Sequence, residues 1–132
     1  MGSDKNGYTI LFVVAALWNW GAAGGFAVSP SFFLELYGLG TEVMSDLFFQ
    51  LFWVIVFIFG FGYFMVSRNQ VANRGIVWLG VIGKLGVFGL FVLHAVKGNV
   101  SYMLAGAGFG DAVFAVFFLR YLYVTRSAVA VA

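Results

Sequence analysis

Residues 75–96 read GIVWLGVIGKLGVFGLFVLHAV, and this stretch decides the fold. Lys84 is its one formal charge, and His94 its only other titratable side chain. A helix of this length reaches about 33 Å at about 1.5 Å per residue, which matches the ~30 Å hydrocarbon core of a bilayer. A membrane strand would alternate inward and outward residues and would need only about 9–11 of them. The near-continuous apolar run therefore predicts a helix, which pairs its own backbone N–H and C=O groups where water is absent.

The same reading applies to residues 8–28, 47–66 and 102–124. It accounts for the composition of the 132-residue chain: 63% hydrophobic, 20% aromatic and only 9% charged. A soluble domain carries about a quarter of charged residues, so soluble enzymes and nucleic-acid-binding domains are excluded. The absence of Cys excludes a disulfide scaffold and a thiolate metal site. The expected fold class is all-α: a polytopic membrane protein with four transmembrane helices in one up-down bundle spanning residues 1–132.

Four spans put both termini on one side. That side carries Lys5, Arg68, Arg74, Arg120 and Arg126, whereas the opposite side has Lys97 with Glu35, Glu42 and Asp46. This bias predicts cytoplasmic N- and C-termini in a cell membrane, expected to be the bacterial inner membrane. The first span reads as a retained helix rather than a cleaved signal peptide, its run being too long and Lys5 standing beside Asp4. The myristoylation pattern fails at Asn6, where Ser or Thr is required.

The longest connection contains Ser29-Pro30, which predicts a Ser N-cap and a Pro at the first helical position. Residues 30–37, rich in Phe and Leu, are expected to form a short helix in the outer interface, ended by Gly38. Thr41 or Ser45 is expected to cap the second span. Lys97 to Ser101 should turn tightly through Gly98-Asn99. Residues 127–132 are expected to fray. Most Tyr residues stand near span ends, as an interfacial belt requires, and Trp18 and Trp20 are read as packing or lipid-facing residues.

A charge in mid-span costs roughly 2.5–3.5 kcal/mol and needs a reason. Two such charges occur, Lys84 and Asp111, together with the uncharged Asn19. Counting about 1.5 Å per residue puts Lys84 about 12 Å, Asn19 about 16 Å and Asp111 about 16 Å from the cytoplasmic edge. Asn19 is flanked at helical spacing by Ala15, Ala16, Ala22 and Ala23, and Asp111 by Ala107, Gly108 and Ala115. Small residues on one stripe let membrane helices approach closely. The expectation is a buried Lys84–Asp111 ion pair between the third and fourth spans, with Asn19 beside it. Such a node either fixes helix register or acts as a titrating or ligand-binding centre.

Glycines 80, 83, 86 and 89 rotate around the third span and are expected to allow close packing against two neighbours. His94 and Glu35 mark a candidate polar site on the outer side, against the plainer reading of an interfacial His and a solvated acidic rim. No metal-ligand spacing and no catalytic constellation emerge, and no cofactor is indicated.

Gly60-Phe61-Gly62-Tyr63-Phe64, Asn73-Arg74, Leu79-Gly80, Gly83-Lys84, Gly110-Asp111 and Arg120-Tyr121-Leu122 form a series along the chain. This series resembles a group of small, uncharacterised bacterial membrane proteins with four helices, and the layout is similar to DoxX-like proteins. That resemblance implies a small membrane subunit associated with quinone or thiol redox systems; it assigns no ligand to any residue here.

The expected function is a non-enzymatic membrane protein, working in the lipid bilayer as a homo-oligomer or as a subunit beside other membrane proteins. A small-molecule or proton-coupled transporter using the node, and a membrane oxidoreductase subunit, are the alternatives. No nucleic-acid partner is expected.

Overall fold

The computed structural model describes residues 2–127, so residues 128–132 of the expected frayed tail lie outside the described residues. Five α-helices follow one another: α1 (Gly2–Val28), α2 (Pro30–Tyr37), α3 (Leu47–Arg68), α4 (Arg74–Val96) and α5 (Tyr102–Val124). All but α2 are long and apolar enough to cross a membrane. Helix α1 starts six residues ahead of the expected span, because Gly2 to Gly7 continue it as a polar turn-and-a-half.

The long helices pack as two close pairs, α1 with α3 and α4 with α5. Asn19 and Trp20 clamp the first pair from consecutive positions. Asn19 Nδ2 donates to the Val56 carbonyl at 3.0 Å, and Trp20 Nε1 donates to the Phe57 carbonyl at 3.2 Å. Gly60 makes room for this: a Cβ there would lie 2.3 Å from Trp20 Nε1.

Both ends of the bundle are tied by polar contacts, which also fix its up-down order. At the end holding the termini, Gln70 Nε2 donates to the Lys5 carbonyl and to Thr9 Oγ1, while Tyr121 Oη donates to the Gln70 carbonyl. Arg74 donates to the Leu122 carbonyl and to Thr125 Oγ1. At the other end, Ser101 N donates to the Tyr37 carbonyl at 2.9 Å and Ser101 Oγ to that of Leu36 at 2.7 Å. Gly38 is required at this junction. Its φ of 67° is left-handed, and a Cβ would lie 3.0 Å from the Ser101 nitrogen.

Ser29 takes the expected N-cap position of α2 with Pro30 opening the helix, but its side chain makes no cap bond; its backbone N–H donates to Gly25 O and closes α1. The expected cap of α3 is corrected. Neither Thr41 nor Ser45 caps α3. They belong to a 3₁₀ turn, Thr41–Ser45, in which Ser45 Oγ is already committed to the Glu42 carbonyl. Asp46 takes the cap, its Oδ1 accepting from Phe49 N at 2.9 Å.

The glycine expectation on α4 holds only for Gly80, whose added Cβ would lie 2.8 Å from Tyr63 Oη and 3.2 Å from Phe118. Gly83, Gly86 and Gly89 have no neighbour within 4 Å of that position. The physical reason lies in the pairing. Helix α4 meets α5 along its length but approaches α3 sparsely, so only the glycine facing the packed end is pressed from both sides.

The packed core is one-sided along the bundle axis. Phe12, Ala15, Ala16, Tyr63, Val66, Val77, Val81, Phe118, Tyr121 and Leu122 form it. All lie in the half nearer the termini, below Lys84. Close van der Waals packing of these side chains holds the two helix pairs together there. Toward α2 a cluster of rings ties α1, α2 and α3 together, with Phe26 stacked on Trp53 at 4.3 Å and meeting Phe33, Tyr37 and Phe49.

Candidate functional site: a polar floor under an aromatic cavity

Lys84, Asp111 and Asn19 are brought together from three helices. Lys84 Nζ lies 2.5 Å from Asp111 Oδ1 and donates to Asn19 Oδ1 at 3.1 Å. Asn19 passes the chain of bonds on to the backbone of α3 through Val56. The rings of Tyr63 and Phe114 each stand 5.3 Å from the ammonium, within the range of cation–π attraction. Four helices thus converge on one cation.

The two partners differ in access. The Lys84 side chain is 6% exposed and that of Asp111 20%. Asp111 Oδ1 faces the lysine; no hydrogen bond occupies Oδ2, and this oxygen is not among the fully buried polar atoms. The carboxylate therefore presents a free acceptor, while the ammonium is held behind it.

Asp111 lines, with Lys84 and Asn19, a cavity of about 510 Å³. Its walls run from the node toward α2 on every helix: Ala22 on α1, Phe52 and Trp53 on α3, Gly83, Val87 and Phe91 on α4, and Leu104 and Ala107 on α5. Tyr37 of α2 closes the far end. Burial pushes the Tyr37 phenol up from its ordinary value, so it stays a neutral hydroxyl. A second, wholly apolar hollow of about 260 Å³ shares Phe52, Trp53, Val87, Phe91 and Leu104 with the first. Below the node the space is filled by the core. Cavity and core are two halves of one bundle, and the ion pair is the boundary.

The seams between the helix pairs are bridged by aromatic rings. Phe52 faces Phe91 at 6.3 Å across α3 and α4, and Trp18 faces Phe114 at 5.8 Å across α1 and α5. Trp18 lines the cavity and is 42% exposed on the outside of the bundle. It is thus both wall and surface.

One group in the wall stands out. Trp53 Nε1 is buried and has no hydrogen-bond partner. An orphaned donor costs about 1–3 kcal/mol. Nothing in the sequence marked this tryptophan, because its isolation follows from the stacking of its ring on Phe26.

The outer-side candidates are not brought together. Asn99 Nδ2 lies 3.0 Å from His94 Nδ1, a local contact within the α4–α5 turn. Among the described residues no hydrogen bond or ion pair joins His94 to Glu35, and no group of His, Asp and Glu has metal-binding geometry.

Comparison with protein families, with curated proteins and with solved structures gives no match. The likeness of layout to DoxX-like proteins therefore rests on the short sequence features that suggested it.

Proposed function

We propose that this chain is a non-enzymatic integral membrane protein of four spans that binds a small, largely apolar molecule in its hollow half. The supporting observation is the position of the Lys84–Asp111–Asn19 node on the floor of a 510 Å³ cavity. A pair serving only helix register has no need of a cavity; packing it shut would lower the exposure of Asp111 and fill lost contacts. The volume lies within the ~300–1,000 Å³ of small-molecule sites, and the mostly apolar wall with a few convergent polar groups is their usual composition.

The lipid bilayer is the partner that the exposed apolar residues call for. Ile58, Ile82, Val116 and Leu119 point outward from three of the long helices. In this reading the termini are cytoplasmic, since Lys5, Arg68, Arg74, Arg120 and Arg126 all belong to the end holding them. The cavity then opens in the outer half and the core seals the cytoplasmic half. That arrangement favours a binding subunit, alone or as a homo-oligomer, over a transporter, which would have to unpack ten core residues to let a solute through.

Photolabelling in lipid vesicles with benzophenone, a neutral apolar ketone that inserts into nearby C–H bonds under light, tests the reading. The expected adducts, mapped by mass spectrometry, fall on Val87, Leu104 and Ala107, and unlabelled diphenylmethane in excess suppresses them. Adducts confined to outward residues such as Ile82 and Leu119 would show that the cavity takes no occupant.

A further inference from the structure

The floor of the cavity constrains what can rest on it. Lys84 and Asp111 form a pair of zero net charge, surrounded by apolar walls. A charged occupant would leave a net charge near the middle of the bundle, where desolvation penalises it. An anion would also have to compete with Asp111 for an ammonium that already donates to two oxygens and sits between two rings. A cation would have to share the one carboxylate with Lys84. Neutrality is the condition that costs least.

The polarity of the contact follows from the free atom. An ionised carboxylate only accepts hydrogen bonds. Asp111 Oδ2 carries none and remains accessible, whereas Oδ1 is taken by Lys84 and Asn19 is satisfied at both ends of its amide. The floor therefore asks for a donor. Above it stand Phe52, Trp53 and Phe91, whose rings suit a flat or aromatic body.

Building on the binding role proposed above, we infer that the cavity selects neutral, lipid-soluble molecules that carry a hydroxyl or N–H group, with this group donating to Asp111 Oδ2 and the apolar body lying against the aromatic wall toward Tyr37. The occupant is a partner of the carboxylate, held at zero net charge.

Displacement of benzophenone photolabelling by compounds built on one diphenylmethyl frame tests this, at equal concentration in the membrane phase. Diphenylmethanol supplies a neutral donor, diphenylmethane no polar group, diphenylacetate an anion and diphenylmethylammonium a cation. A charge-assisted hydrogen bond predicts that diphenylmethanol displaces the label at about tenfold lower concentration than diphenylmethane or more. Both charged compounds should be weaker than diphenylmethanol. The advantage over diphenylmethane should shrink to about one in the double variant Lys84→Met with Asp111→Leu, which removes the acceptor and leaves no stranded charge.

Equal displacement by diphenylmethanol and diphenylmethane would overturn the inference while leaving cavity binding intact. Stronger displacement by either ion would overturn it in favour of a charged occupant. Retention of the tenfold advantage in the double variant would also overturn it, because the donor would then be read elsewhere. An absence of cavity adducts altogether removes the binding role on which the inference rests.

Discussion

Lys84→Met should lower the thermal midpoint of the purified protein by about 10 °C or more, and adding Asp111→Leu should recover most of the loss. The single change leaves Asp111 carboxylate facing apolar walls with its counterion gone. Breaking a buried pair in this way costs about 3–5 kcal/mol. For a chain of this size each kcal/mol corresponds to a few degrees. The double variant loses the pair as a whole and with it the desolvation burden of two charges, so apolar side chains of similar reach come near to neutral. Asp111→Leu alone should be as damaging as Lys84→Met, since it strands the ammonium between Tyr63 and Phe114. A melting series on the four proteins checks this. Additive losses in the double variant would mean that the two side chains act independently and that the node is not a unit.

Gly83→Phe should abolish benzophenone labelling of the cavity while leaving the thermal midpoint within a few degrees of the parent. Gly83 lines the cavity, and a Cβ built there meets nothing within 4 Å. A side chain at this position therefore grows into free volume rather than into a neighbour, and the helix gains from losing a glycine. Filling the space with a ring takes the place of the occupant directly above the polar floor. Gly80, one turn nearer the termini, has the opposite surroundings, with Tyr63 and Phe118 pressed against it. Gly80→Phe would fail through overpacking and gives no information about binding. Undiminished labelling of Val87 and Ala107 in Gly83→Phe would place the bound molecule elsewhere.

The four long helices and the short α2 were legible because each rests on a local signal: an unbroken apolar run, or Pro30 and Gly38 bracketing a run of Phe and Leu. The meeting of Asn19, Lys84 and Asp111 was legible for a different reason. Depth along a helix can be counted, and polar side chains in an apolar medium have few places to go except toward one another.

The cavity was not legible. Its existence depends on how far the α1–α3 pair stands from the α4–α5 pair, and so on rotation about the helix axes, which residue counting leaves open. The same blindness explains the glycines of α4, where one of four is pressed and Gly83 opens into the hollow. The capping errors have a simpler origin. Thr41 and Ser45 each had the right side chain for a cap, but both fall inside a 3₁₀ turn that leaves Asp46 at the start of α3, and Ser29 holds its cap position without a side-chain bond.

The most direct test of a hollow half floored by an ion pair is an experimentally determined structure in lipid nanodiscs with benzophenone present. Density for the ketone is expected between Gly83, Val87 and Ala107, with Lys84 Nζ in hydrogen-bond contact with Asp111 below it and the core around Phe12 and Phe118 closed. Lys84 and Asp111 side chains pointing apart or toward acyl chains, with the four helices packed shut above them, would contradict it.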